Sequence, residues 1–244
     1  VRTHTPGGDP DAEERLYAGL RTPILWPAGI SLHGWLEART RFFDEATLTA
    51  IQSGVAQIVI VGAGYDGRAL RFRQAGVRFF EVDHPATQGD KRHRVEQLGA
   101  EVAETTYVAH DLTQGDLAEA LAAAGHVADQ PSLFICEGLL LYLDMPVAEE
   151  LLRTLLSRAG VGSRLALSAH ELEPDAGPVG RVRMAGQRAL LAAIREPRRS
   201  LFAPGELTAL LKRSGWEPTD EQARTSGGRR GMLVLSEPRA AVVA

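Results

Sequence analysis

Four short segments of the chain carry residues able to hold a polar ligand. Gly62-Ala63-Gly64-Tyr65-Asp66-Gly67 puts small residues where backbone amides can approach a ligand, ahead of a helix start that favours negative charge. A tight strand-to-helix turn with no ligand has the same signature. Asp83 follows the next apolar run, where a carboxylate can accept from both hydroxyls of a ribose. Asp111 follows the third run, where a carboxylate can accept from an adenine amino group, and Glu137-Gly138 follows the fourth. Any one of these acids is also a good helix cap. Four in register, each at the end of an apolar run, point instead to one nucleotide-like ligand.

The runs that must position them are short and continuous. Gln57–Val61, Val77–Val82, Thr105–Ala109, Ser132–Cys136 and Arg164–Ser168 fit strands buried on both faces. Helical segments lie between them: Asp66–Gln74, Lys91–Leu98, Leu117–Ala124 and Val147–Ala159. Strand and helix alternating at this spacing predict an α/β fold with a parallel, doubly wound sheet and right-handed crossovers. Upstream, Arg15 to Ile51 reads as two or three helices broken around Pro23, Pro27 and Gly29, the last over Leu32–Gln52. Residues 1–14, with Pro6, Gly7, Gly8 and Pro10, read as a mobile tail. Downstream come helices over Arg181–Arg195 and Pro204–Ser214. Two closing strands follow, one from Trp216 and one over Gly231–Leu235, joined through Ser226-Gly227-Gly228 as an edge hairpin.

Two cofactors suit such a sheet edge. A nicotinamide dinucleotide needs the glycine turn to cradle a pyrophosphate; S-adenosylmethionine has no phosphate and carries an ammonium, a carboxylate and a sulfonium. Asp66 and Glu137 add negative charge beside the turn, which is awkward for pyrophosphate and favourable for the cationic groups. The closing hairpin favours the methyltransferase sheet as well. An NAD(P)-dependent oxidoreductase and a catalytically silent cofactor-binding partner remain the alternatives.

Val59-Ile-Val-Gly62-Ala63-Gly64-Tyr65-Asp66-Gly67-Arg68-Ala69, Glu81-Val-Asp83-His84-Pro85, His110-Asp111-Leu112-Thr113 and Cys136-Glu137-Gly138-Leu-Leu-Leu141-Tyr142-Leu143 together resemble the leucine carboxyl methyltransferase-like family. So does Glu37-Ala38-Arg39-Thr40-Arg41-Phe42-Phe43-Asp44. That family includes protein phosphatase carboxyl methyltransferases and many bacterial O-methyltransferases of secondary metabolism. The resemblance covers about residues 35–170. It implies a class I methyltransferase, Rossmann-like sheet of seven strands in the order 3-2-1-4-5-7-6. An N-terminal helical arm would occupy residues 1–54, and the cofactor-binding domain 55–244 would carry a helical lid at about 171–213. It implies that Arg39 holds the carboxylate of S-adenosylmethionine, that Gly62, Ala63 and Gly64 pack beneath its methionine part, and that Asp83 takes the ribose. Asp111 and Leu112 would frame the adenine, and Glu137-Gly138 would sit beside the amino group. One departure is Gly67, where members often carry Thr.

On the acceptor side the sequence offers less. A carboxylate acceptor, with a pKa near ~4, is already ionised at neutral pH and needs no general base, whereas a hydroxyl can need one. His33 and His170 are the candidates for that base. His84 reads as a flank of the ribose. Between Pro178 and Ser200 six arginines, Arg181 and Arg183 among them, stand against the single acid Glu196. A lid of this composition suits an anionic substrate, since guanidinium pairs bidentately with carboxylate; a solvated Arg-rich helix reads the same. Arg181, Arg183 and Tyr142 are the substrate-side candidates.

Composition bounds the rest. At 244 residues, 44% hydrophobic and 24% charged, the chain has the balance of a globular protein able to bury a full core. The net charge of −4 gives no reason to expect nucleic acid or an anionic membrane surface. No stretch approaches the ~20 apolar residues of a membrane span. The single cysteine, Cys136, rules out an intrachain disulfide and a cysteine-built zinc cluster, and no metal is expected. A cytoplasmic enzyme with a small-molecule substrate is the resulting expectation. Only Lys91 and Lys212 are lysines among 27 basic residues, which suggests a GC-rich bacterial genome and says nothing about mechanism.

Overall fold

Each apolar run becomes a strand, fully buried over Gln57–Val61 and Ser132–Cys136 and only half-buried at the edge over Thr105–Ala109. The computed structural model describes residues 2–18, 32–99, 103–172, 202–226 and 229–239. Its strands are β1 (Gln57–Val61), β2 (Arg78–Asp83), β3 (Thr105–Ala109), β4 (Ser132–Cys136), β5 (Arg164–Leu172), β6 (Trp216–Ser226) and β7 (Arg229–Pro238). They form one sheet in the order β3-β2-β1-β4-β5-β7-β6, the order of class I methyltransferases. β1 pairs parallel with β2 and β4, β2 with β3, and β4 with β5, whereas β7 runs antiparallel to both β5 and β6.

The two-residue period of the strands sorts their side chains into two cores. Ile58 and Ile60 of β1 join Leu133 and Ile135 of β4 on one face, under Phe42, Phe43 and Ile51 of α2 (Leu32–Gln52). Val59, Val61 and Phe134 face the other way, against Leu121 of α5 (Leu117–Ala123), Leu152 and Leu155 of α6 (Met145–Ser157), and Leu210 of α7 (Glu206–Arg213). The remaining helices are α1 (Ala12–Tyr17), α3 (Arg68–Arg71) and α4 (Pro85–Gln97).

Several elements differ from their sequence expectations. The N-terminal stretch is docked rather than mobile. Thr5 donates from its amide to the Arg71 carbonyl (3.0 Å) and from Oγ1 to the Arg73 carbonyl (2.6 Å), and Asp9 donates to the Leu70 carbonyl (3.0 Å). Ala12 and Leu16 then pack against Leu70 and Val95. Local composition could not reveal this, because the partners lie about sixty residues away. α3 is a single turn, not the longer Asp66–Gln74 helix: Gly67 is its N-cap, and Asp66 lies ahead of it, accepting from the Arg68 amide (2.8 Å). α4 starts at Pro85 rather than Lys91; His84 caps it, accepting at Nδ1 from the Ala86 amide (3.3 Å), and proline suits a first helical position. β5 and β7 run beyond Ser168 and Gly231, because antiparallel pairing continues from Leu165↔Ser236 to Leu172↔Arg229. Of the expected lid, residues 173–201 lie outside the described residues, Arg181 and Arg183 included.

Candidate cofactor site

The carboxyl ends of β1 and β4 meet at one cleft, and the end of β2 is tied to the turn that borders it. Leaving β1, the chain turns through Gly62 (φ 67°) and Gly64 (φ 46°), backbone that glycine adopts without strain. The Gly64 amide donates to Asp83 Oδ2 (2.5 Å) and the His84 amide to Oδ1 (2.6 Å). Asp83 at the end of β2 therefore holds the turn after β1 in place. A Cβ built on Gly64 would meet nothing within 4 Å, so the space over the turn is open.

Beneath it lies a network of buried charges. Glu137, just past β4, pairs through Oε1 with Arg39 Nε and through Oε2 with Arg68 Nη1, both at 2.7 Å. Arg68 also reaches Asp66 (2.6 Å) and Asp44 (3.0 Å). Asp44 in turn accepts from Arg71 (2.8 and 2.9 Å), whose Nε donates to Glu13 (2.6 Å). Burial works against the Arg68 charge, but Asp66, Glu137 and Asp44 outweigh it and push its pKa up. Burial likewise works against the Asp66 carboxylate, and Arg68 and Lys91 outweigh it, holding Asp66 below its ordinary range. Lys91 supports the turn from behind, donating to the Asp66 carbonyl (2.6 Å) while paired with buried Glu81 (2.6 Å).

The expected surplus of negative charge is thus corrected. Asp66 and Glu137 each carry a guanidinium partner, and the network balances Arg2, Arg39, Arg68 and Arg71 against Glu13, Asp44, Asp66 and Glu137. The cleft above it holds about 330 Å³ and is lined by Leu36, Arg39 and Thr40 of α2, the turn from Gly62 to Asp66, Arg68, Glu137, and Arg2, Glu13 and Tyr17 of the N-terminal segment.

The other sequence candidates sit around this cleft rather than in it. Asp111 is half-buried and closes a turn, accepting at Oδ1 from the Thr113 amide (2.9 Å) and hydroxyl (2.7 Å); those bonds lower its pKa. Leu112 packs against the apolar core. The Gly138 amide donates to Ser168 Oγ (2.8 Å), fastening the end of β4 to β5. Tyr142 is exposed on a 3-10 turn (Leu140–Tyr142). His170, near the end of β5, lies edge-on to Trp35, ring centres 5.5 Å apart. His33 is within α2, and its side chain lies outside the described residues. Cys136 is buried, and burial pushes its thiol up to about 12, which leaves it inert as a nucleophile.

A family model for leucine carboxyl methyltransferase matches residues 12–156, more than half of the chain. The chain belongs to the leucine carboxyl methyltransferase family. Among curated relatives, a Frankia alni protein called "Putative S-adenosyl-L-methionine-dependent methyltransferase" is 40% identical over 142 residues, covering 55% of this chain and 49% of its own length. A Streptomyces coelicolor protein of the same description is 43% identical over 132 residues, covering 53% and 46%. The chain spans about half the length of the curated relatives it matches. Among solved structures, magnesium protoporphyrin IX methyltransferase from Synechocystis, with bound SAH, shares the fold at a TM-score of 0.56 and 15% identity over 94% of both chains. Human N-acetylserotonin methyltransferase, in complex with SAM, shares it at 0.50 and 16%, over 76% of this chain and 48% of its own.

The family motifs contain Asp44 and Arg68, yet their sequence signal was only membership of a motif. Glu13 and Arg2 carried no signal, since they lie in a polar stretch that reads as a tail, and Tyr17 lay in a stretch that reads only as helical.

Proposed function

We propose that the protein transfers a methyl group from S-adenosylmethionine to an oxygen of a small, anionic metabolite, with a carboxylate acceptor preferred over a hydroxyl. The observation that carries this reading is the charge-balanced cleft over the Gly62–Gly64 turn. Alternating guanidinium and carboxylate groups complement a zwitterion, whose ammonium and carboxylate each find an opposite charge. A dinucleotide pyrophosphate needs a surplus of donors and positive charge instead, which argues against an NAD(P)-dependent oxidoreductase.

The residues present fit the cofactor. Arg39 lines the cleft and would hold the amino-acid carboxylate by charge-assisted hydrogen bonds. Glu137, paired with it at 2.7 Å, orients that guanidinium. Gly62, Ala63 and Gly64 would pack beneath the methionine part. Asp83 would accept from the ribose and is pre-set by the Gly64 amide. Asp111 and Leu112 would frame the adenine, at the end of β3. When bound, S-adenosylmethionine supplies an electrophilic methyl group on a cationic sulfonium. The chain's task is then to align the acceptor and exclude water. An ionised carboxylate acceptor needs no proton removed, so His170, beside Trp35 at the carboxyl end of β5, serves as a base only for a hydroxyl acceptor.

Calorimetry with S-adenosylhomocysteine, NAD and NADP tests the cofactor: binding of the first and neither of the others is expected. Methyl transfer to a panel of small carboxylic acids and phenols, read across pH, tests the acceptor. A single-turnover rate flat from about pH 6 to 8 is expected for a carboxylate, because its pKa lies well below that window. A rate that rises with pH and flattens in His170→Ala assigns a hydroxyl instead.

A further inference from the structure

The N-terminal segment brings into the cleft a carboxylate of which the arginines engage one oxygen. Glu13 is 5% exposed and lines the cleft with Arg39, Asp66 and Glu137. Its Oε1 accepts from Arg71 Nε (2.6 Å). Its Oε2 is buried and has no hydrogen-bond partner among the described residues. The other carboxylates at this edge differ: both oxygens of Glu137 face a guanidinium, both of Asp66 accept from Arg68, and both of Asp83 accept from backbone amides. A buried acceptor without a donor carries the full cost of leaving water, and buried polar atoms in native proteins are rarely left in that state.

Glu13 owes its seat to Gly67. A Cβ at position 67 would meet Glu13 Cδ at 2.7 Å and Cγ at 2.9 Å, so a side chain there displaces the carboxylate. The segment is anchored independently on either side of Glu13, by Thr5 on the Arg71 and Arg73 carbonyls and by the Ala18 carbonyl, which accepts from Arg94 Nη1 (3.2 Å). Tyr17 also rests against Tyr65 of the turn, ring centres 6.0 Å apart. Glu13 is therefore not needed simply to hold the segment down.

We infer that Glu13 Oε2 accepts a hydrogen bond from the α-ammonium of the amino-acid part of S-adenosylmethionine, which makes the N-terminal segment a wall of the cofactor site. Arg39 and Glu13 then form the two poles of a zwitterion subsite: guanidinium for the carboxylate, carboxylate for the ammonium. Glu137, with each oxygen facing a guanidinium, positions the first pole and keeps lone pairs with which to share the second. The inference rests on the reading of the cleft as an S-adenosylmethionine site.

The test is calorimetry on the full chain with two probes, S-adenosylhomocysteine and its deamino analogue, which keeps the carboxylate and lacks the α-ammonium. The native protein is expected to prefer S-adenosylhomocysteine by about tenfold or more, the scale of a charge-assisted hydrogen bond. Glu13→Gln is expected to lose most of that preference while binding the deamino analogue as the native protein does. Gly67→Ala, which keeps the acid but displaces it, is expected to show the same pattern. Thermal unfolding of each variant checks that it is folded. Equal losses for both probes assign Glu13 to docking the segment and overturn the inference, as does an unchanged preference in both variants. Failure of the native protein to bind S-adenosylhomocysteine at all overturns the cofactor reading itself.

Discussion

Both edges of the sheet bury polar groups, but in different states. At the amino edge, Gln57 of β1 donates to the Val127 carbonyl (2.9 Å) and accepts from the Val127 amide (2.8 Å). Ser132 of β4 contacts Gln57 Nε2 (3.2 Å) and His126 Nε2 (3.0 Å), and its amide donates to Ser163 Oγ (2.9 Å). Arg158 donates to the His126 carbonyl. These groups are mostly neutral and bonded to one another, although Arg158 Nε is buried without a partner among the described residues. At the carboxyl edge the groups are charged, Arg39, Arg68 and Glu137 border open space, and Glu13 Oε2 has no donor among the described residues. Buried polarity alone therefore does not mark a ligand site here; capacity facing a cleft does.

The sharpest way to break that comparison is to remove a charge at the carboxyl edge. Arg68→Ala leaves Asp44, Asp66 and Glu137 without their shared partner and is expected to cost about 3–5 kcal/mol of stability in urea unfolding. A loss within the range of surface substitutions sinks the claim that this network is one interdependent unit.

At the amino edge the expected lever is pH. Burial, then Arg158 and Arg78, pushes His126 down to about 4. Its folded value lies below the ordinary value of 6.5, so the unfolded chain takes up a proton the folded chain refuses. Its contribution is complete above about pH 6.5 and is lost as pH falls towards 4, on the order of 2–3 kcal/mol. His126→Gln is expected to flatten that part of the stability curve; an unchanged slope shows that His126 titrates normally in the folded protein.

Asp83→Ala sharpens the functional half. It removes the acceptor of the Gly64 and His84 amides and the proposed ribose contact, so affinity for S-adenosylhomocysteine is expected to fall by roughly 1–3 kcal/mol, about five- to 150-fold. Native-like affinity measured by calorimetry rejects the ribose assignment. The smallest effect is expected from Gln57→Ala, about 1–2 kcal/mol of stability from the hydrogen bonds lost. Its affinity for S-adenosylhomocysteine should match the native value, and a parallel loss would erase the distinction between the edges.

What could be read in the sequence was local or repetitive. β1, β2 and β4 were legible because each is a short apolar run ended by a glycine or an acid, and α2 because its apolar residues recur at helical spacing over Leu32–Gln52. Gly62, Gly64, Asp83 and Glu137 were legible for the same reason: each follows a strand directly, and parallel strands deliver their ends to one edge. The limits of β5 and β7 were not, because each strand is lengthened by its partner. The state of each charge was also beyond the sequence. Asp66 and Glu137 look like bare acids until Arg68 is placed between them, and Glu13 looks like part of a solvated tail until Arg71, fifty-eight residues on, receives it. Ion pairs between distant residues have no periodicity and no spacing rule; they exist only where folding brings the two groups together. Residue types and order determined the sheet and the edge to which its parallel strands deliver their ends, and only the tertiary structure decided which charges there are paired and with what.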